Sequence, residues 1–355
     1  MGIPCEAPRS ICILRLSALG DVTHVVPLVR NLQAAFPECR ITWIVGKLEA
    51  RLVGDLPGVE FMAVDKNRGW RAYLDLRRAL AGRSFDALLH CQVAFRANLL
   101  ATAVHARRRI GYDAARSKDM HALVVRERIA PGQGQHVLEA IGSFARPLGL
   151  EPPATPRWDI PIPDEARAFA ERLLPGSQPT LIVAPCSSHP RRNWLPERYA
   201  AVADHAITRH GYRVMLCGGP SPDERRMGDA ILHAMKSRDQ AVDLIGKDTL
   251  KRFLALAARA RLVLSPDSGP MHMANAVGTP VIGLHAASNP ARSGAYSSRA
   301  WAVDRYDAAA RRYRGVPADA LPWGTKLEYP GVMELVETEA VLETLDRFAS
   351  TQPLR

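Results

Sequence analysis

Short apolar runs alternate along the chain with segments whose apolar residues recur every three to four positions. ICILRL (11–16), ITWIV (41–45), VEFMAV (59–64) and DALLHC (86–91) read as strands. Near-continuous apolar runs of this length suit strands buried on both faces of a parallel sheet. Helical spacing runs from the turn Ser17–Asp21 to Phe36, and again over 69–82, 94–105 and 136–148. The alternation of the two patterns predicts βαβ units.

The pattern breaks at EPPATPRWDIPIP (151–163), with five prolines in thirteen residues. Proline cannot sit inside a helix or a central strand, so this stretch reads as a linker. The alternation then restarts. TLIVAP (180–185), YRVMLCGG (212–219), VDLIG (242–246), RLVLSPDSG (261–269) and PVIGLH (280–285) read as strands, with helices over 196–209, 222–236, 249–259 and 270–277. The expected organisation is therefore an α/β domain over 1–150, a linker over 151–163 and a second α/β domain over 164–335. An amphipathic helix over 336–355 should pack back toward the first domain. In open parallel sheets the ligand sits outside the carboxyl ends of the strands.

A chain of 355 residues with 47% apolar and 23% charged residues suits an ordinary two-domain globular protein. No apolar run reaches the roughly 20 residues that span a bilayer. MGIPCEAPRS shows no secretory apolar region, and Glu6 stands where a myristoylation motif needs Ser or Thr. Cys5, Cys12, Cys39, Cys91, Cys186 and Cys217 form no C-x-x-C pair, so reduced thiols in a cytosolic protein are expected. Charge changes the picture more. The formal net charge is +11, and residues 66–128 alone hold 14 basic against 5 acidic residues. Such a stretch is either a solvated charged face or a surface for phosphate-bearing partners: nucleic acid, an anionic membrane or a phosphorylated substrate. No C2H2 spacing, RNP-like aromatic motif or GXXG clamp favours nucleic acid, and none is expected as a partner.

Four segments carry candidate chemistry. LRLSALGDVTHVVP (14–27) is a strand, a tight turn and a helix start. Its Asp21 is either a helix cap or a carboxylate placed at a strand's carboxyl edge to act as a general base. APCSSHPRRNWLPERY (184–199) puts Ser187, Ser188, Arg191 and Arg192 on one strand-exit loop, either a plain polar loop or an anion site. In CGGPSPDERR (217–226), Glu224 lies in a helix's first turn and either complements the dipole or accepts from a ribose. SPDSGPMHMANAVGTPVI (265–282) joins Asp267, Ser268 and Gly269 to a helix carrying His272. The free amides at such a helix start suit a diphosphate. There is no D-x-D motif and no His/Cys cluster with metal-ligand spacing, so no metal is expected.

LRLSALGDVTHVVP, RRIGYD (108–113), SSHPRRNWLPERY and PDSGPMHMANAVGTPVI in this order resemble glycosyltransferase family 9, the ADP-heptose:lipopolysaccharide heptosyltransferases. The resemblance runs from about Ile11 to about Phe348. It implies a GT-B fold, two doubly wound Rossmann-like domains facing a central cleft. It also implies an inverting, metal-independent transfer of heptose from an ADP-sugar donor, without a cofactor, to the phosphorylated inner core on lipid A. On that resemblance Asp21 is the catalytic base. Ser187, Ser188, Arg192, Glu224, Asp267, Ser268, Gly269 and His272 bind the donor, with Arg192 standing where the family commonly has Lys. Lys66, Arg68 and Arg71 are the candidates for the acceptor. The implied location is the cytoplasm, with peripheral contact to the anionic cytoplasmic face of the inner membrane. Another nucleotide-sugar, a protein acceptor or a non-catalytic binding module would fit the same fold. VDRYDAAARRYRGVPADALPWGTKLEYP (303–330) matches none of the four motifs.

Overall fold

The computed structural model describes residues 7–351. The readings made for the N-terminal segment, including Cys5 and Glu6, thus lie outside the described residues. The chain divides into two compact units, Met1–Pro161 and Ile162–Arg355, the boundary falling inside the proline-rich stretch.

The first unit carries strands β1 (Ser10–Leu14), β2 (Arg40–Gly46), β3 (Val59–Val64), β4 (Phe85–His90), β5 (Ala106–Gly111) and β6 (Glu127–Arg128). Its helices are α1 (Leu19–Ala35), α2 (Lys47–Val53), α3 (Trp70–Ala79), α4 (Phe95–Ala101), α5 (His121–Val124) and α6 (Val137–Gly142). All pairings are parallel, in the order β3-β2-β1-β4-β5-β6. This is the doubly wound order, in which the winding reverses between β1 and β4. Residues 11–14 of β1, Trp43 and Ile44 of β2, and Leu88 and Leu89 of β4 are fully buried, as apolar runs covered on both faces require.

β5 has no apolar run to announce it. Its sequence, ARRRIG, is sheet because its arginines find partners. Arg108 forks onto Glu127 of β6 (Nε–Oε1 2.9 Å), and Arg109 donates to the carbonyls of Val124, Val104 and Ala101. The helix expected over 136–148 tightens into a 3-10 turn from Ser143, where Pro147 cannot continue an α-helix. The first part of the proline-rich stretch is pinned to α1. Arg30 donates to the Asp159 carbonyl at 2.7 Å and Asn31 to that of Glu151 at 3.0 Å.

The second unit repeats the plan with β7 (Thr180–Val183), β8 (Arg213–Leu216), β9 (Ala241–Asp243), β10 (Leu262–Pro266), β11 (Val281–His285) and β12 (Val303–Asp304). The order β12-β11-β10-β7-β8-β9, again all parallel, is the same winding with its reversal between β7 and β10. Its helices are α7 (Asp164–Leu173), α8 (Pro196–His210), α9 (Pro222–Ala234), α10 (Leu250–Arg259), α11 (Gly269–Ala276), α12 (Pro290–Ser293), α13 (Tyr306–Arg314) and α14 (Thr338–Thr351).

α14 completes the core of the second unit. Its apolar face, Val341, Leu345 and Phe348, belongs to the second unit's own core and packs on α8, with Phe348 edge-on to Trp301. The Trp194 indole N–H, donating to the Val336 carbonyl at 2.8 Å, fixes the approach of this helix. Among the described residues no helix is long and apolar enough to cross a membrane.

Candidate active site

In each sheet the reversal point defines where a ligand can reach the backbone, because there adjacent strands send their following loops apart. At the first reversal, β1 runs into the turn that carries Asp21. Arg15, just past β1, is largely buried and organises this turn. Its guanidinium donates to the carbonyls of Ser17 (2.9 Å) and Cys91 (2.5 Å) and meets Asp21 Oδ2 at 2.5 Å. Burial alone would lower the Arg15 pKa, but the Asp21 charge outweighs it and the net shift is upward. The Ala18 N–H adds a 3.2 Å bond to the same Asp21 oxygen, and Gln92 accepts from the Leu16 N–H at 2.7 Å. Asp21 thus caps α1 and also keeps a third of its side chain accessible. The two readings of this residue are compatible.

Beside it, at the end of β4, His90 and His121 converge on one Asn98 oxygen at 2.8 and 3.0 Å. Tyr112 N–H donates to His121 Nε2, so His121 carries its proton on Nδ1. Burial holds His90 down to about 3 and His121 to about 4. This explains the RRIGYD segment. A Cβ on Gly111 would strike His121 and Val125, Tyr112 packs edge-on to Phe144, and Asp113 binds Arg116.

Of the acceptor candidates, Lys66 is paired with the buried Glu49 at 2.8 Å and Arg68 with Asp75 at 2.7 Å, while Arg71 is exposed. Glu49 sits so close to Gly46 that any side chain there would displace it, and the Gly46 N–H in turn donates to the Leu16 carbonyl (3.0 Å). Lys66 therefore stands on the edge that carries the Asp21 turn.

At the second reversal, the loops after β7 and β10 carry the predicted donor residues except Glu224, which follows β8. Ser268 is the N-cap of α11, accepting from Met271 N–H and touching Ser265 Oγ at 2.8 Å. Asp267 is buried beside it, with His272 Nε2 at 3.7 Å, Ser293 Oγ at 3.2 Å and Lys326 Nζ at 2.8 Å. Burial alone would raise this carboxyl. The His272 hydrogen bond and the Lys326 charge outweigh it and hold it well below the usual range. After β7, the Ser187 N–H donates to Asn193 Oδ1 at 2.7 Å and its hydroxyl to the His189 carbonyl at 2.8 Å; Ser188 is exposed. Glu224 reaches back from the first turn of α9 to accept from Gly219 N–H at 2.6 Å. Gly218 and Gly219 leave the space its carboxylate fills.

The sequence of the chain is matched over residues 73–317 by the model of glycosyltransferase family 9 (heptosyltransferase). The chain belongs to that family. The lipopolysaccharide core heptosyltransferase OpsX of Haemophilus influenzae is 39% identical over 95% of this chain and 96% of its own length. Lipopolysaccharide heptosyltransferase 1 of Escherichia coli K12 is 24% identical over 81% of this chain and 90% of its own. Among solved structures, the glycosyltransferase family 9 protein of Veillonella parvula superposes with TM-score 0.77 at 21% identity, covering 97% and 98% of the two chains. E. coli heptosyltransferase WaaC with ADP superposes with TM-score 0.75 at 20% identity, covering 96% and 100%. The fold is that of the GT-B glycosyltransferases, and this family member is a glycosyltransferase.

Three residues at the second edge of this glycosyltransferase were not picked out from the sequence. Lys326 and Glu328 come from the stretch that matched no family motif, which crosses the loops after β7 and β10. The Leu327 N–H donates to the Ala287 carbonyl at 2.8 Å, and Tyr306 Oη donates to that of Thr325 at 2.9 Å. Glu328 takes Arg192 through both Nε (2.7 Å) and Nη2 (2.6 Å), and lies 3.5 Å from His189. The third is Asp248, which burial first, and then the neighbouring Glu224 charge, push up to about 7. No spacing signal marks Lys326 or Glu328, since each acts across more than fifty residues of chain. A further set, His205, His210 and Asp346, joins α8 to α14, both imidazoles meeting one Asp346 oxygen at 2.7 and 2.6 Å. Three such donors have the chemistry of a metal site.

Proposed function

We propose that this glycosyltransferase moves heptose from ADP-heptose to the phosphorylated inner core of lipopolysaccharide on the lipid A side, with inversion and without a metal ion. The observation that carries the reading is the placement of Asp21 at the reversal point of one sheet and of Asp267, Ser268 and His272 at the reversal point of the other. The curated relatives, named as lipopolysaccharide heptosyltransferases, support the substrate class.

In this reading Asp21 takes the proton of the acceptor hydroxyl as its oxygen attacks the anomeric carbon. The bond from that carbon to the diphosphate oxygen breaks on the opposite face, so the product is inverted and ADP leaves. Arg15 keeps the carboxylate aimed. The free amides at the start of α11 receive the departing charge. Lys326 spends one of its three N–H groups on Asp267 and keeps two for phosphate, whereas Glu328 fixes the position of the Arg192 guanidinium through Nε and Nη2. Lys326 therefore does the work a Lys at position 192 would do. Glu224 accepts from the ribose, with Asp248, whose carboxyl burial pushes up to about 7, close enough to feel its charge. Lys66, Arg68 and Arg71 meet the acceptor phosphates. The reaction runs at the cytoplasmic face of the inner membrane, where the protein makes peripheral contact with anionic lipid.

The test is a transfer assay with purified protein, ADP-heptose and heptose-free lipopolysaccharide core, in EDTA. Stoichiometric release of ADP with a heptosylated product of inverted anomeric configuration is expected. Activity with UDP-sugars in preference to ADP-heptose, or a requirement for added divalent metal, would overturn the proposal.

A further inference from the structure

Large apolar side chains in contact with water are concentrated on one part of the first unit. Seven are exposed among the described residues, and five of these lie between Trp70 and Leu123. Trp70 opens α3 and is 68% exposed, and Phe95 opens α4 and is 58% exposed. Leu99 follows Phe95 by one turn and so shares its face. Met120 is the N-cap of α5 and Leu123 lies within it, 78% exposed.

These helices form one surface. α3 packs on α4 and α4 on α5, and Asn98 Nδ2 of α4 donates to the Asp119 carbonyl at 2.6 Å. That bond fixes the turn in which Asp119 and Met120 both hold left-handed backbone, a conformation uncommon for residues other than glycine. α3 and α4 also start at the carboxyl edge of their sheet, the edge that carries Asp21.

The apolar residues are interleaved with cations that nothing in the fold neutralises. Arg71, Arg96, Lys118 and Arg126 are exposed, and among the described residues none of them forms an ion pair, while Asp75 is already taken by Arg68. A shallow groove of about 280 Å³ runs between Arg68, Trp70, Arg71, Leu74, Asp75 and Arg78.

We infer that the surface formed by Trp70, Phe95, Leu99, Met120 and Leu123 docks the protein on an anionic bilayer, seating the Asp21 edge over a lipid-borne acceptor. The docking gives a surface to the lipid contact proposed above, and the second clause rests on the proposed transfer as well. Aromatic and aliphatic side chains ringed by unpaired Arg and Lys are the composition that binds a lipid interface, where acyl chains take the apolar groups and headgroup phosphates the cations. A second copy of the chain is a poorer occupant, because a two-fold contact would set these cations against themselves.

The test is flotation of the full-length protein with vesicles of phosphatidylcholine containing 30% phosphatidylglycerol, against pure phosphatidylcholine. Binding to the anionic vesicles, weakened by salt, is expected. The exposed triple variant Phe95→Ser/Leu99→Ser/Leu123→Ser should lose at least tenfold in partitioning with an unchanged melting curve. Arg96→Glu/Lys118→Glu should lose a similar factor on the anionic vesicles alone. Wild-type protein that ignores anionic vesicles, a triple variant that binds as wild type, or a solution dimer that these variants dissociate without altering flotation would each overturn the inference. A deacylated, water-soluble acceptor separates the two readings. Docking predicts that the triple variant keeps its rate on it and loses rate on the vesicle-borne acceptor. Failure of wild type on both acceptors would remove the proposed transfer, and the flotation result would still decide docking.

Discussion

Replacing Lys326 by Ala tests the least expected part of the site. The ammonium stands 2.8 Å from a buried carboxylate that adjoins the N-cap of α11, with 28% of its side chain exposed. A charge-assisted hydrogen bond at such a partly buried place contributes about 1.5–3 kcal/mol. At about 1.4 kcal/mol per factor of ten, its loss should raise the Kd of ADP-heptose and of ADP by roughly 10- to 100-fold. A second effect adds to the first. Without Lys326, the Asp267 carboxylate faces the incoming diphosphate with His272 and Ser293 as its remaining partners, and like charges repel more strongly where water is excluded. Adenosine, which carries no phosphate, should bind the variant as it binds wild type. Isothermal titration with adenosine, AMP, ADP and ADP-heptose separates these contributions, and Lys326→Arg should recover part of the loss. An ADP affinity within twofold of wild type, or an equal loss for adenosine, would refute the reasoning, the second outcome pointing to a collapsed loop rather than a missing phosphate contact.

Asp21→Asn should cut kcat by about 10²–10⁴, the usual contribution of a general base, while leaving the donor Kd unchanged in the same titration. Arg15→Lys keeps the charge but loses the fork that holds the Ser17 and Cys91 carbonyls together with Asp21. Its kcat should fall with little change in KM for the donor, and an unaltered kcat would remove Arg15 from the positioning role. His90, His121 and His285 are buried with folded pKa values of about 3, 4 and 4, below the ordinary 6.5, so folding favours their neutral forms. The unfolded chain then binds more protons below pH 6.5, and stability falls as pH drops from there toward 4, by about 1.4 kcal/mol per pH unit for each imidazole. Because two of the three lie in the first unit, its melting transition should move down faster on acidification, and a transition flat between pH 6.5 and 4.5 contradicts this. Gly111→Ala, which drives a methyl into His121 and Val125, should cost about 1–3 kcal/mol in the same unit and appear as a lowered melting temperature.

Legibility of the fold followed how each element is stabilised. β1, β2, β4, β7, β10 and β11 are central strands buried on both faces, and an apolar run is the whole of their signal. β5 escaped because arginine carries it, and side chains satisfied by the carbonyls of Pro147 on one side and Val104 on the other leave no apolar signature. The packing partner of α14 within its unit is hidden for a related reason. Amphipathic spacing says that Val341, Leu345 and Phe348 bury a face but not against which partner, and the partner is chosen by the Trp194 indole and the Trp301 ring.

The same distinction governs the site. Asp21, Ser268 and Asp267 were visible because each combines a residue type with a strand-to-helix turn, so chemistry and local structure point to one place in the sequence. Lys326 and Glu328 have the chemistry without the turn. They lie in a stretch held over the strand ends by Tyr306 and by one backbone bond to Ala287, and their roles exist once that stretch is laid across the sheet. Their pairing also explains the Arg at position 192. A guanidinium can be held by Glu328 through two nitrogens, which a lysine at that position could not match, and on the proposed reading position 326 supplies the ammonium for phosphate instead. An exchange of this kind, with the point charge and the fork traded between two distant positions, predicts that Arg192→Lys alone should weaken the hold on Glu328 without improving donor binding. Tighter donor binding in Arg192→Lys, measured by the same titration, would show that the two cations are not exchanged in this way.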